Sequence, residues 1–400
     1  MPLRIRNVPR TIWALGFVSM FMDISSEMTQ SLLPVFLVTG LGASPALLGL
    51  IEGVAQATAS ITKVFSGWLS DRLGRRKLLT VLGYGFALIT KPIFPFAATP
   101  YDVLAARFLD RIGKGVRDAP RDALVADVTP QDLRGAGFGL RQSLDTMGAI
   151  AGPLAAIGLM AAFHGNMRIV FSFAIIPAVV SVAVLVLGVK EPNRTQQPHQ
   201  AMSPISWSDV RSIGTPFWVA VTVGVLFTMA GFSEAFLVLR GAGAGIPLTL
   251  VPFVMIVMNV VYALVSAPVG SLSDRVGRKP LLASGIVVLL IADIVLALAG
   301  NVAGILIGVA LWGLHLGLTQ GLLSALVADT APARLRGTAF GLFNLATGVT
   351  MIAASVLAGA IWTAWGASLT FLTGGGFAVV ALFGVLALLK ENRAGTETAA

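Results

Sequence analysis

The sequence predicts an all-α integral membrane protein of twelve transmembrane helices, arranged as two like six-helix bundles. Three observations carry that expectation. The first is composition: 56% of the 400 residues are hydrophobic and 12% charged, with a mean hydropathy of +0.85. Water-soluble domains carry about twice that charge. The second is length, because the apolar runs reach about 20 to 27 residues, enough to cross a hydrocarbon core of ~30 Å. The third is an internal repeat. Residues 67–77, with Gly67, Asp71, Arg72, Gly74 and Arg75, return 203 positions later as 270–280, with Gly270, Asp274, Arg275, Gly277 and Arg278. A second signature, 123–127, returns as 325–329 at an offset of 202. A repeat of half the chain length means two like halves rather than a solenoid of small units.

In order, the first half gives spans at 11–38, 45–69, 78–98, 101–126, 136–162 and 168–189. The second gives 215–239, 246–270, 280–299, 302–328, 337–362 and 368–389. The organisation read from this is a bundle at 1–189, a polar, Pro- and Gln-containing linker at 190–214, a bundle at 215–389 and a tail at 390–400. The N-terminus is basic and then apolar, like a signal peptide. Its apolar run is too long, however, and it contains Asp23 and Glu27, so it reads as a retained first helix. With both termini inside, eighteen Lys and Arg fall in inside segments and only Arg168 and Arg240 outside, as the positive-inside rule demands. The net charge of +9 therefore follows topology and not a nucleic-acid-binding domain. The expected location is a bacterial cytoplasmic (inner) membrane, with lipid as the surrounding partner and both ends cytoplasmic.

The basic link between the second and third spans, and its copy between the eighth and ninth, resemble the signature loop of the major facilitator superfamily. That resemblance covers nearly the whole chain. It implies two six-helix bundles that open a cavity alternately to each side, acting on a small-molecule substrate. It also implies gating loops. Asp71 near the start of span 11, or Asp274 near the start of span 5, meets the positive end of a helix dipole and latches one face. The competing reading is that the basic residues only fix topology. In span 5, Gly139, Gly148, Gly152 and Pro153 resemble the antiporter motif of the superfamily's exporters, although the small pair expected after the proline reads Ala156 and Ile157. Small residues allow close helix approach, and the proline bends the helix.

Eight Lys and Arg remain inside spans, and all lie in the first half: Lys63, Lys91, Arg107, Arg111, Lys114, Arg117, Arg121 and Arg141. Buried charges in a bilayer are costly and often mark a transport path. In span 4, Arg107, Arg111, Lys114, Asp118 and Arg121 share one helix face, with Asp110 beside them. Asp23 and Glu27 stand one turn apart in span 1, Glu52 and Gln56 in span 2, and Asp145 four residues after Arg141 in span 5. The reading is that Asp23 and Glu27 face Arg107 and Arg111, and that a carboxylate exchanging partners couples a proton to transport. A fixed salt-bridge network is the rival, preferred for Arg117 to Asp122. Span 4 also resembles the superfamily's arginine motif at Arg107 and Gly113, with Arg111 where a glycine is usual. In the second half Glu234, Asn259 and His315 are candidate cavity residues, with Gln56 and Lys114 in the first. Trp312, Phe227, Phe232 and Tyr84 are either stacking or packing aromatics.

The sequence holds no phosphate-binding loop, no cysteine and no metal-ligand spacing, so no cofactor is expected and the proton gradient is the driving force. It is not read as an enzyme. The expected function is a proton-coupled antiporter exporting a small organic compound, anionic or drug-like, with no partner subunit needed and a monomer expected. The alternatives are an uptake symporter for an organic acid or metal-chelate, and a non-transporting sensor.

Overall fold

The computed structural model describes residues 9–130, 133–189, 213–332 and 335–397, and among these the chain is helical with no strand. Helix α1 runs Arg10–Gln30 and, after a break at Ser31 and Leu32, continues as Leu33–Val35 and the π-helical Phe36–Gly40. Next come α2 (Pro45–Leu73), α3 (Arg76–Thr90, then Ile93–Phe96), α4 (Pro100–Val128), α5 (Arg134–Ala162) and α6 (Met167–Phe173, then Ile175–Gly188). The second half gives α7 (Thr215–Ala230, then Ala235–Gly243), α8 (Phe253–Val276), α9 (Arg278–Leu298), α10 (Val302–Thr330), α11 (Arg336–Trp365) and α12 (Ala367–Glu397).

Each of the twelve expected spans is helical, with edges moved for local reasons. The start of α8 shifts from 246 to Phe253 because Pro247 and Pro252 interrupt the run, and a proline restricts the residue before it as well. The tail expected from 390 is helical as far as Glu397, where Lys390, Glu391 and Arg393 are strong helix formers. Among the described residues, nine of the helices are long and apolar enough to cross a membrane. The three below that threshold, α1, α2 and α4, carry Asp23 and Glu27, Glu52 and Lys63, and the charged face of span 4.

Residues 190–212 of the expected linker, together with Arg334 and the basic residues Arg4 and Arg6, lie outside the described residues. The side chains of Asp71, Arg134, Asp274 and Arg275 lie outside them as well, and with them the latch reading.

The two copies of the basic loop end their helices in the same way. Gly74 and Gly277 both take the left-handed backbone, at φ 66° and 88°. Their N–H groups donate to the carbonyls of Ser70 and Ser273, each at 3.0 Å. That conformation closes a helix at little cost only for glycine. Helix entry is also parallel. Thr99 and Asp102 form a capping box at α4, and the Asn301 side chain caps α10 by accepting from Gly304 N–H at 2.8 Å.

Contacts group the chain into two compact units. The first comprises Met1–Ala43, Val54–Pro204 and Leu248–Ile256, and the second Ser44–Gly53, Ile205–Pro247 and Val257–Ala400. In the first, α1 packs on α5 and α6, and α3 on α4, around Ile12, Leu15, Met22, Tyr84 and Leu124. In the second, α9 packs on α10 and α12, and α7 on α11 and α12, around Phe217, Val327, Leu335 and Phe343.

Candidate functional site

The charged centre of the first unit is assembled by glycine contacts. On α5, a Cβ added to Gly148 would stand 2.5 Å from the Met20 carbonyl and 3.0 Å from Asp23 Cβ. One on Gly152 would stand 2.7 Å from Glu27 Cβ and 2.8 Å from the Ile24 carbonyl. Both glycines of this motif therefore press α5 onto α1 at the two carboxylates, and Pro153 is buried beside them. Gly139 faces open space, so the close approach rests on the other two. A second glycine seam sets α4. Gly113 meets the carbonyl of Gly83 on α3, while Gly115 meets Ala59 and Thr62 on α2.

These seams bring the ionisable groups together. Asp23 and Glu27 are half-buried, while Arg107, Asp110, Arg111, Arg117, Arg121 and Arg141 are buried. The charged neighbours acting on Glu27 are Lys114, Arg111, Arg107 and Lys91. Those acting on Asp23 are Asp145, Lys114, Arg117 and Glu27, two carboxylates, a lysine and an arginine. Lys91 Nζ donates to Ser26 Oγ at 3.1 Å and to Asp110 Oδ1 at 3.2 Å, tying α3 to α1 and α4. This tie was not legible in the sequence, since Lys91 lies on a different helix from every charge it meets. Arg111 Nε stands 3.9 Å from Asp110.

The lower part of α4 is a dense ion-pair network. Arg121 reaches Asp122 at 3.2 Å and Asp118 at 3.6 Å, and donates to Ser19 and Tyr84 at 3.2 and 3.3 Å. Arg117 lies 4.5 Å over the Tyr84 ring, a cation–π contact. Arg141 pairs with Asp145 at 3.1 Å, and Arg76 with Asp127 at 2.9 Å. On α2, Glu52 is buried and Gln56 half-buried.

The second unit is nearly neutral. His315 is buried, donates through Nδ1 to the Gly285 carbonyl at 2.9 Å, and lies 5.0 Å from the Phe227 ring. Glu234 ends the break in α7, and Asn259 is half-buried on α8. Around the break Phe232 touches the rings of Phe236, Trp312 and Phe371 at 5.5 to 5.6 Å. Trp312, Phe232 and Tyr84 are at most 3% exposed, so these aromatics are packing residues.

The comparisons agree with this architecture. Residues 15–258 and 237–400 match the Major Facilitator Superfamily. An uncharacterized MFS-type transporter of Methanocaldococcus jannaschii is 30% identical over 388 residues, covering 94% of each chain. The gentisate transporter of Corynebacterium glutamicum is 28% identical over 375 residues, covering 88% of this chain and 81% of its own. The crystal structure of the nucleoside transporter NupG superposes with a TM-score of 0.75 at 14% identity, over 95% of this chain and 99% of that one, which speaks to the fold alone. The chain is a multi-pass membrane protein whose relatives are transporters rather than enzymes, and it belongs to the Major Facilitator Superfamily.

Proposed function

We propose that the protein is a proton-coupled antiporter that exports a small organic compound by alternating access, as a monomer in the cytoplasmic membrane with both ends inside. The observation that carries this reading is the seating of Gly148 and Gly152 against Asp23 and Glu27. The motif that resembles the exporters' lies directly on the two carboxylates best placed to take up a proton. A helix that rocks at Pro153 changes the surroundings of both carboxylates at once, and a carboxylate whose cationic neighbours change binds its proton more or less tightly. Glu27 has Lys114, Arg111 and Arg107 as such neighbours. The same cations give the wall an affinity for carboxylate or phosphate, so the cargo is an organic anion or zwitterion.

The relative named as a gentisate transporter fits an organic acid cargo and equally supports a second reading, uptake of such an acid with protons on the same scaffold. One experiment separates the two. Small molecules are measured in the medium and cytosol of deletion and overexpressing cells, with Asp23→Asn as the control. Enrichment in the medium only with the intact protein supports export. Withdrawal of a compound from the medium supports uptake instead.

A further inference from the structure

Asp293 on α9 is fully buried, and neither carboxylate oxygen has a hydrogen-bond partner among the described residues. Its surroundings are unusual in two ways. On α12, a Cβ on Gly374 would stand 3.1 Å from Asp293 Oδ2 and equally 3.1 Å from the carbonyl oxygen of Ala230. Ala230 is the last residue of the first segment of α7, before the break at 231–234, and carbonyls at a helix end lack an intrahelical donor. A carboxyl group and a helix-end carbonyl thus face the same narrow strip of glycine surface. That strip also borders a small void lined by Met229, Phe232, Thr370 and Thr373.

We propose that Asp293 is a proton-binding site of the second bundle, its protonated carboxyl donating to a carbonyl freed by the break in α7. An anion with no donor or cation in an apolar membrane interior is very costly, whereas a neutral acid beside a bare carbonyl satisfies both groups. Ionising Asp293 places negative charge beside the Ala230 carbonyl oxygen, so release of the proton and movement of the second segment of α7 become one event. This deepens the proton-coupled reading and rests on it for its role in transport, but not for proton binding itself.

The ionisable groups on the elements around Asp293 are few. Nearest along the chain are His315 on α10, bonded to Gly285 about two turns away along α9, and Glu234 and Arg240 on α7, whereas Arg278 and Lys279 of α9 and Asp329 of α10 stand at the other ends of their helices. Arg240 is bonded to the carbonyls of Leu296 and Ala299. Residues 367–386 of α12 include no ionisable side chain.

The test is infrared difference spectroscopy of the full chain in lipid vesicles, between acid and alkaline buffers, in water and heavy water. The expected result is a deuterium-sensitive carboxylic C=O band that is lost in Asp293→Asn, shifted in Asp293→Glu, and kept in Asp23→Asn and Glu27→Gln. A spectrum of Asp293→Asn that matches the unmutated protein overturns the proposal. So does loss of the band on adding sodium at fixed pH, which would make the site a metal-cation site. Because the band needs no cargo, failure here is separate from failure of the export experiment.

Discussion

Equivalent positions of the two bundles bury opposite charges and treat them differently. At the repeat offset of 202, Lys91 on α3 corresponds to Asp293 on α9, and Asp110 on α4 to Trp312 on α10. In the first bundle the lysine finds Asp110 and Ser26 within 3.2 Å. In the second the acid has no such partner among the described residues, and its counterpart of Asp110 is an indole packed between Phe232 and Phe371. The same contrast holds along the whole helix. Arg111 and Gly113 on α4 correspond to Gly313 and His315 on α10, so one wall is cationic and the other apolar with a single imidazole. The helix order and the glycines at 83/285 and 115/317 return in both halves, whereas Gly113, Gly148 and Gly152 are replaced by His315, Thr350 and Ala354 and the charges diverge.

Breaking the pair is the sharpest way to test that contrast. Lys91→Met takes from buried Asp110 its nearest cation, at 3.2 Å, and leaves it Arg111 at 3.9 Å, so it is expected to cost about 1–3 kcal/mol of stability. Asp293→Asn removes no pair and is expected to change stability by less than about 1 kcal/mol. Thermal unfolding in one detergent compares the two, and equal losses would erase the distinction between the bundles.

The glycine seam is next in size. Gly152→Ala drives a methyl group into Glu27 and the Ile24 carbonyl, and overpacking of this kind costs about 1–3 kcal/mol. Gly139→Ala meets nothing within 4 Å and should stay within about 0.5 kcal/mol of the unmutated protein. The same unfolding assay reads both, and a silent Gly152→Ala would remove the seam from the account.

Two smaller changes ask where the halves should agree. Gly74→Ala and Gly277→Ala each force a side chain into the left-handed region, at about 1–2 kcal/mol, and the two values should match. Thr99→Ala removes one side of a reciprocal cap and Asn301→Ala a single bond, so both cost about 1 kcal/mol, Thr99→Ala the more. A mismatch between the glycine pair would show that the loop copies have diverged in backbone as well as in charge.

The fold was legible in the sequence because its signals are long and redundant. Apolar runs set the spans, and the returning 67–77 and 123–127 signatures set the duplication. What escaped was local or three-dimensional. The break in α7 at 231–234 carries only Gly231 as a warning, and the late start of α8 depends on Pro247 and Pro252 within an otherwise apolar run. At the site, periodicity gathered the charges of α4 onto one face and paired Arg141 with Asp145, since both are properties of one helix. It could not pair Lys91 with Asp110, or set Asp145 beside Asp23, because those meetings depend on which helices the glycines bring together. Nor could it show that Trp312 and Phe232 pack against each other with their rings tilted, since an aromatic in an apolar run looks the same facing a cavity or a core.

In the proposed mechanism the proton is taken up by the carboxylates of the first bundle, under the span 5 glycines. The most direct measurement is cargo export by cells expressing the unmutated protein, Asp23→Asn, Glu27→Gln or His315→Gln at matched membrane levels. A compound is expected to build up in the medium with the unmutated protein and with His315→Gln, and to fail to do so with either carboxylate variant. Export that survives both carboxylate changes and stops with His315→Gln would contradict that mechanism and move the coupling site to the second bundle.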